Sequence, residues 1–364
     1  TAGAHPVMYA RAARTQRGDM QHYCDTQGAA GSLAIAYRDA ALSATPARFD
    51  PPSRCWREIG WAVMRSDWDD ADAVVLATKA GSVAGGHQHW DCGTFILRAF
   101  GAELIGEPGI GVYSREYHSG RPLLKTTAVH NCMTFDEQEQ QPGEFFEAHL
   151  TDFETRPGYD MAKMVLTHAY DHPDVKRYNR LFFLLRPGVV VLVDEVRAHC
   201  GHNSTTGTML QSRLHTFGEI TLRDFDAVVE VDHAAMIVRN IMPPSTVGLG
   251  DWYAAYSVGR HEGLTSRRDQ QDDQRLKYLN IRMQAARDPA IIVTLLVPGR
   301  TVADAQDILN AIEIQDQRRH RLELFHGDQT LVLDWGNRRW QLYWNVLPGR
   351  LPEVIEATPG GPYV

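Results

Sequence analysis

The sequence has no apolar run of about 18 or more residues, so it predicts no membrane-spanning helix. It also lacks a basic run long enough to follow a nucleic-acid backbone. Its 37 lysines and arginines stand against 45 aspartates and glutamates, a net charge of −8 at pH 7. We therefore expect neither a membrane nor a nucleic acid as a partner.

Cysteines are few and scattered along the chain. None of the five shows C-x-x-C spacing, and their number is odd. This pattern indicates neither a disulfide framework nor a structural zinc cluster built from cysteines. We expect most of them to be buried thiols. They are Cys24, Cys55, Cys92, Cys132 and Cys200.

The chain divides by composition into three parts. Residues 1–43 are rich in Ala, Arg, Met and Gln and predict a short helical segment. Residues 44–55 contain Pro46, Pro51 and Pro52 and are typical of a linker. With 364 residues, 43% of them hydrophobic, the chain is long enough for one large core or two ordinary ones.

Residues 56–364 are a succession of β-branched and aromatic runs separated by Gly, Pro or Asp. Because no strand–helix–strand alternation is present, we predict a mainly β fold, a large antiparallel two-sheet β-sandwich. A smaller β subdomain is expected from about residue 270. Residues 180–185 and 189–196 flank Arg186-Pro187-Gly188 and predict a hairpin. Residues 302–309 predict a short helix.

The stretch Gly85–Gly93 places His87, His89 and Asp91 at every second position. In an extended chain these three side chains would share one face, and the flanking glycines allow a bulge. They are candidate metal ligands or proton carriers. Three alternate residues of a strand extend over roughly 13 Å, however, so at most two can reach one ion.

Further ligands must then come from other strands, where Glu107 and His130 are the nearest carboxylate and imidazole candidates. Histidines are concentrated here, since four of the sixteen fall between His87 and His130. A single histidine is more often a structural residue than a ligand, and the alternative reading is a polar face of an edge strand. Four histidines between residues 87 and 130 favour a metal-binding or catalytic site.

Several ordered motifs resemble the C-terminal part of the heparinase II/III-like polysaccharide lyases, a superfamily that includes heparin lyases and oligoalginate lyases. The resemblance extends from about Trp56 to Val196 with ordered motifs, and more loosely to the C-terminus. The motifs are Ile59-Gly60-Trp61 through Asp67-Trp68, Gly86-His87-Gln88-His89-Trp90-Asp91 through Phe95, Glu107-Pro108-Gly109, Tyr117-His118 and His130-Asn131.

The resemblance implies an N-terminal (α/α) toroid followed by antiparallel β-sheet domains, with the active site in the cleft between them. Residues 1–43 would be the remnant of such a toroid. His87 would be a catalytic histidine, and Tyr117 would match the tyrosine that approaches the scissile oxygen. Arg115 and His118 are candidate substrate-binding residues.

The same resemblance implies a structural Zn²⁺ ion, or another divalent cation, held by His89, Glu107 and His130. Relatives often have Asp where this chain has Glu107. Arg180 lies on a predicted strand, where a salt bridge at the edge of the core is its expected role.

The function implied is β-elimination on a uronic-acid glycan, with a glycosaminoglycan such as heparin or heparan sulfate ahead of alginate. A non-catalytic carbohydrate-binding β-sandwich is the alternative of another class. A glycoside hydrolase is disfavoured because no acid pair lies beside His87. The chain begins at Thr1 and holds little of a toroid. The toroid is then either a separate chain of the same precursor or a part of a longer protein from which this sequence is a fragment, and we expect the separate chain. The expected partners are this N-terminal toroid chain and the anionic glycan, and homo-oligomerisation is a further possibility.

Overall fold

The computed structural model describes residues 4–48, 51–85, 87–109, 123–198, 207–242, 245–246, 254–260, 276–285, 290–318, 321–326, 329–334, 340–344 and 353–357. The chain forms two compact units, Thr1–Pro52 and Ser53–Val364. Their boundary falls inside the proline-rich stretch 44–55. No helix in the described ranges is long and apolar enough to cross a membrane.

The first unit is helical. Its small core contains Tyr9 and Cys24, both almost fully buried. The Tyr9 hydroxyl donates to Asp25 Oδ1 at 2.7 Å, and Arg38 forms a salt bridge with the same carboxylate at 2.9 Å. These contacts connect its three helices, α1 (Val7–Thr15), α2 (Gly18–Thr26) and α3 (Ser32–Tyr37).

The second unit consists mostly of strands. Its described strands are β1 (Arg54–Trp56), β2 (Trp61–Arg65), β3 (Val75–Lys79), β4 (Gly81–Ser82), β5 (Phe95–Ala99), β6 (Ala102–Ile105), β7 (Met133–Phe135), β8 (Glu147–Arg156), β9 (Tyr159–Val165), β10 (Val175–Leu185), β11 (Val189–Ala198), β12 (Thr208–Thr216), β13 (Glu219–Leu222), β14 (Asp226–Val231), β15 (Ala234–Met242), β16 (Ser245–Thr246), β17 (Ala254–Arg260), β18 (Lys277–Ala285), β19 (Ala290–Gly299), β20 (Ile312–Arg318), β21 (Arg321–His326), β22 (Gln329–Asp334), β23 (Trp340–Trp344) and β24 (Glu353–Ala357). One α-helix, α4 (Val302–Asn310), follows β19.

These strands form four sheets, and every strand pair except β16 with β17 is antiparallel. The largest sheet has nine strands in the order β13-β14-β15-β19-β11-β10-β9-β8-β4. Two five-stranded sheets, β1-β2-β3-β5-β6 and β16-β17-β18-β12-β7, contribute to the same hydrophobic core. The last five strands form their own sheet, which begins at Ile312. The prediction of a mainly β, antiparallel fold is confirmed.

The centre of the large sheet is buried on both faces. Strands β10 and β11 form the predicted hairpin, with Leu185 opposite Val189. Successive side chains of a strand point to opposite faces. Phe182 accordingly lies in the core shared with the five-stranded sheets, whereas Phe183 lies in a second core covered by α4 through Leu309. The apolar runs of β10 and β11 follow from this double burial.

Helix α4 begins at a capping box. The Thr301 hydroxyl accepts from the Asp304 N–H, and the Asp304 carboxylate accepts from the Thr301 N–H, each at 3.1 Å. The helix matches the short helix that the sequence predicts over residues 302–309, and it extends one residue further.

Candidate functional site

The candidate site lies in the loop that joins β4 to β5. His87 is exposed there, whereas His89 and Asp91 are 9% and 7% exposed. Residues 87–93 form no strand ladder, so the extended chain that would put His87, His89 and Asp91 on one face is not formed. The backbone of this loop makes separate bonds to different segments, from the Trp90 N–H to the Lys125 carbonyl at 2.8 Å and from the Gly93 N–H to the Lys79 carbonyl at the end of β3 at 2.7 Å.

Trp90 is held through both of its backbone groups. Its N–H donates to the Lys125 carbonyl at 2.8 Å, and its carbonyl accepts from the Thr127 hydroxyl at 2.8 Å. Both partners belong to one-turn 3₁₀ helices, Leu123–Lys125 and Thr127–Val129. Since Trp90 lies between His89 and Asp91, these bonds position both side chains.

Cys92 is fixed in the same way by one side chain. The Gln140 amide accepts from the Cys92 N–H at 2.8 Å and donates to the Cys92 carbonyl at 2.7 Å. Burial raises the pKa of the Cys92 thiol to about 12, so the sulfur stays protonated and is a poor metal ligand. Within the described residues the cysteines are free, as the sequence predicts, and Cys200 lies outside those residues.

Arg180 connects the site to the centre of the large sheet. Its Nη1 donates to the Gly93 carbonyl at 2.9 Å and to the Asn131 carbonyl at 2.8 Å. The same guanidinium forms a fully buried salt bridge with Asp194 at 2.7 Å. Burial lowers the pKa of Arg180, but the Asp194 carboxylate outweighs burial and the pKa is raised. Arg180 is therefore a buried structural cation that fixes both segments of the site.

Three side chains form a cluster with the chemistry of a metal site. His89, Asp91 and His130 each offer one ligand atom, and these atoms lie within 4.8 Å of one another. The two imidazole rings are 5.1 Å apart between centroids. Lys79 Nζ forms a salt bridge with Asp91 Oδ1 at 2.6 Å. His89 and Asp91 thus come from one loop and His130 from another segment of the chain.

Glu107 lies beside this cluster and contacts His130. One of its carboxylate oxygens bonds to His130 Nδ1, and the other accepts from the Thr94 hydroxyl. The Asn131 side-chain amide donates to the latter oxygen at 3.0 Å. Glu107 is therefore oriented from three sides, next to a histidine of the cluster.

The pKa values of His89 and His130 are shifted in opposite directions. Burial, and then the nearby His130, lower the pKa of His89 to about 4, so its ring is neutral at neutral pH. Burial also lowers the pKa of His130, but the charge and hydrogen bond of Glu107 outweigh burial and the pKa is raised. His89 therefore presents the neutral imidazole that a metal ion binds, whereas His130 would have to release a proton on binding the ion.

The residues present fit a zinc ion in donor type. Zinc takes imidazole nitrogens and carboxylate oxygens, and a metal-bound histidine usually donates its second N–H to a carboxylate or a carbonyl. His130 has both kinds of partner, because Glu107 contacts Nδ1 and the Leu124 carbonyl lies 3.0 Å from Nε2. Metal binding through His130 would replace one of these two contacts.

Three predicted residues, Tyr117, Arg115 and His118, fall in 110–122, outside the described residues. The sequence did not identify Lys79, Gln140 or the positioning role of Arg180. Gln140 carries no recognisable signal, because its bonds to Cys92 cross 48 residues of chain. Asp91 was proposed as a ligand from its spacing and lies in the cluster.

Gly93 is a position where glycine is required. Its φ is +84°, and a Cβ there would lie 2.5 Å from Cδ1 of the fully buried Leu166. We expect Gly93→Ala to lower the free energy of unfolding by about 2–4 kcal/mol, measured by denaturant titration. Gly109→Ala is the matched control, because φ is +77° and no atom of the described residues lies within 4 Å of its Cβ. Equal losses in the two variants would contradict a steric role for Leu166.

The fold and the cluster define a class of protein, an antiparallel β-sheet protein whose histidine–carboxylate cluster is formed by the β4–β5 loop and the segment that carries His130. The family profile described as heparinase II/III-like, C-terminal, matches residues 50–311. The chain therefore belongs to the heparinase II/III-like family, and the resemblance of its motifs is confirmed. No curated protein sequence matches it significantly.

Solved structures show the same fold at low sequence identity. Heparan sulfate lyase HepC from Pedobacter heparinus superposes with a TM-score of 0.61 at 15% identity, over 93% of this chain and 47% of that chain. A heparinase III with methylated lysines gives 0.60 at 18%, over 93% and 46%. Another heparinase III structure gives 0.61 at 17%, over 89% and 47%. This chain thus spans about half the length of these proteins.

Proposed function

We propose that this chain is the β-sheet part of a polysaccharide lyase that cleaves a glycosaminoglycan by β-elimination. The observation that carries the proposal is the arrangement around His87. An exposed imidazole stands two residues from a buried His89–Asp91–His130 cluster, in a chain of the heparinase II/III-like family. Similar solved structures are named heparan sulfate lyase and heparinase III.

The chemistry needs a base, an acid and a group that neutralises the uronate carboxylate. The base removes the proton from C5, and the electron pair of that C–H bond forms the C4=C5 double bond. The C4–O4 bond breaks, and the departing oxygen takes a proton from the acid. His87 and Tyr117 supply the base and the acid, and Arg115 and His118 bind the anionic sugar. Histidine suits proton transfer near neutral pH.

The complete activity requires an N-terminal toroid as well as this chain. The support is that this chain covers about 47% of heparan sulfate lyase HepC. In this proposal the toroid is a separate chain of the same precursor. Mass spectrometry of a fully active sample tests it, because finding this polypeptide alone would contradict the two-chain arrangement.

The absorbance of the unsaturated uronate product tests the function directly. The complete protein should generate that absorbance from heparan sulfate or heparin. Product from alginate alone would favour the alginate lyase instead. If the protein binds these polymers but produces no absorbance from any of them, the non-catalytic carbohydrate-binding alternative is correct.

A structural zinc ion, or another divalent cation, completes the proposed site. His89 and His130 hold it together with a carboxylate. The carboxylate is either Glu107, which the family resemblance implies, or Asp91, which lies within 4.8 Å of both imidazoles. When bound, the ion cross-links the loop of His89 to the segment of His130.

We expect one zinc ion per purified chain, and none after His89→Ala, measured by elemental analysis of dialysed protein. At zinc a hundredfold above its Kd, binding stabilises the fold by about 2.7 kcal/mol, so a chelator should lower the Tm of the wild type but not of His89→Ala. His149→Ala is the control, because His149 is a partly exposed histidine paired with Glu147 at 3.2 Å.

Two further variants identify the carboxylate ligand. Glu107→Gln and Asp91→Asn keep the size of each side chain and remove its charge. The variant that loses zinc marks the ligand, and the other should retain it. Full zinc content in His89→Ala would contradict the whole site.

A further inference from the structure

Two tryptophans are exposed on the outer face of the first five-stranded sheet. Trp56 is 46% exposed and Trp61 is 50% exposed. Indole side chains are usually well buried, since they carry a large apolar surface. Two exposed tryptophans side by side therefore indicate a binding surface for a ligand or another protein.

The strand register places both side chains on one face. Trp56 of β1 lies directly opposite Trp61 of β2, and Trp61 lies directly opposite Lys79 of β3. Directly opposed residues of antiparallel strands project to the same side of the sheet. Ala62 and Thr78, their neighbours on β2 and β3, are buried on the other side. Trp56, Trp61 and Lys79 thus form one row across three strands, about 10 Å long.

This row leads to the candidate site. Lys79 Nζ bonds to Asp91 Oδ1 at 2.6 Å and lies 3.5 Å from Gln88 Oε1. Those two residues flank His89 in the chain, and Gln88 follows the exposed His87. The two tryptophans are therefore continuous with the loop of the proposed catalytic histidine, through one lysine.

The composition of the row fits a sugar chain. Indole faces pack against the apolar C–H faces of pyranose rings, and their N–H can bond to a hydroxyl. Arg57, exposed beside Trp56, supplies positive charge for a polyanion, whereas Lys79, 22% exposed at the other end of the row, shares its charge with Asp91. A length of about 10 Å accommodates more than one sugar ring.

We propose that Trp56 and Trp61 are a stacking platform for the sugar rings that flank the cleavage position of the glycan bound at His87. The ligand is an acidic oligosaccharide, held by its ring faces on the two indoles while its charged groups face the neighbouring cations. This inference rests on the proposed function for the identity of the ligand. In this inference, longer oligosaccharides bind more tightly than short ones because they also contact the platform.

The test measures binding of heparan sulfate oligosaccharides of two, four and six sugars by titration calorimetry. The full chain with His87→Ala prevents turnover during the measurement. We expect Trp61→Ala in this background to weaken hexasaccharide binding about five- to tenfold, the effect of losing one aromatic contact. Disaccharide binding should change less than twofold, because a short ligand at His87 does not reach the platform.

Three controls separate stacking from folding. Trp61→Phe keeps an aromatic face and should restore most of the hexasaccharide affinity. Trp56→Ala should weaken binding in the same length-dependent way. Phe225→Ala removes an aromatic side chain that is 61% exposed next to β14, at the other end of the large sheet from β4, and should leave binding unchanged.

The outcomes distinguish this inference from the proposed function. If the wild type generates unsaturated product but Trp61→Ala and Trp56→Ala bind the hexasaccharide normally, the platform is wrong and the lyase stands. If Trp61→Ala instead changes the oligomeric state in sedimentation and not glycan affinity, the row is a protein interface and the platform is wrong. If Trp61→Ala weakens binding in this length-dependent way but the complete protein generates no unsaturated product, the platform stands and the lyase is wrong.

Discussion

His87→Ala is expected to lower kcat on a uronate glycan by about 10²- to 10⁴-fold, the range for removing a general acid or base. KM should change little, because the proposed role of His87 is proton transfer and not binding of the polymer. The measurement is the initial rate of unsaturated uronate formation with the complete protein.

Stability should be unaffected by the same substitution. His87 is exposed, and surface substitutions usually change the free energy of unfolding by less than about 0.5 kcal/mol. His233→Ala is the matched control, because His233 is an exposed histidine in the turn between β14 and β15, bonded to the Phe100 carbonyl at 2.6 Å. Turnover by His87→Ala equal to that of His233→Ala would contradict the catalytic role.

The sequence could predict the fold class and the long hairpin because both depend on local pattern. The apolar run of β10 and β11, with Pro187 and Gly188 between them, determines two strands and a turn. It does not reveal that Phe182 and Phe183 face different cores. That information lies in helix α4, which follows more than 100 residues later and covers the second face.

For the candidate site, too, the sequence predicted the local pattern but not the contacts with distant residues. Spacing identified the His87–Asp91 segment, because closely spaced histidines and carboxylates are recognisable in any conformation. Spacing gave the wrong local geometry, since an extended strand was expected and a loop is present. Gln140 and Arg180, which hold that loop, lie 48 and 87 residues away from the carbonyls they bond. A periodicity argument considers only neighbours along the chain and contains no information on such contacts.

Arg180 is the most consequential of these distant contacts for stability. Arg180→Ala leaves Asp194 buried and uncompensated, because Asp194 is 1% exposed and Arg180 is its salt-bridge partner. Breaking a buried pair from one side costs about 3–5 kcal/mol. We expect a loss of this size in the free energy of unfolding, measured by denaturant titration. Arg156→Ala, which breaks a partly exposed pair with Glu154 at 2.5 Å, should cost no more than about 1 kcal/mol.

A double variant separates the salt bridge from the positioning role. Arg180→Met with Asp194→Leu removes both charges, so part of the lost stability should return, although the buried Tyr178 hydroxyl then loses its acceptor. The Gly93 and Asn131 carbonyls still lose their donor, and these residues flank the segments that carry Asp91 and His130. We therefore expect the double variant to fold but to bind zinc about 10- to 100-fold more weakly than the wild type, measured by competition with a chelator. Wild-type zinc affinity in a stable double variant would show that Arg180 stabilises the core without positioning the site.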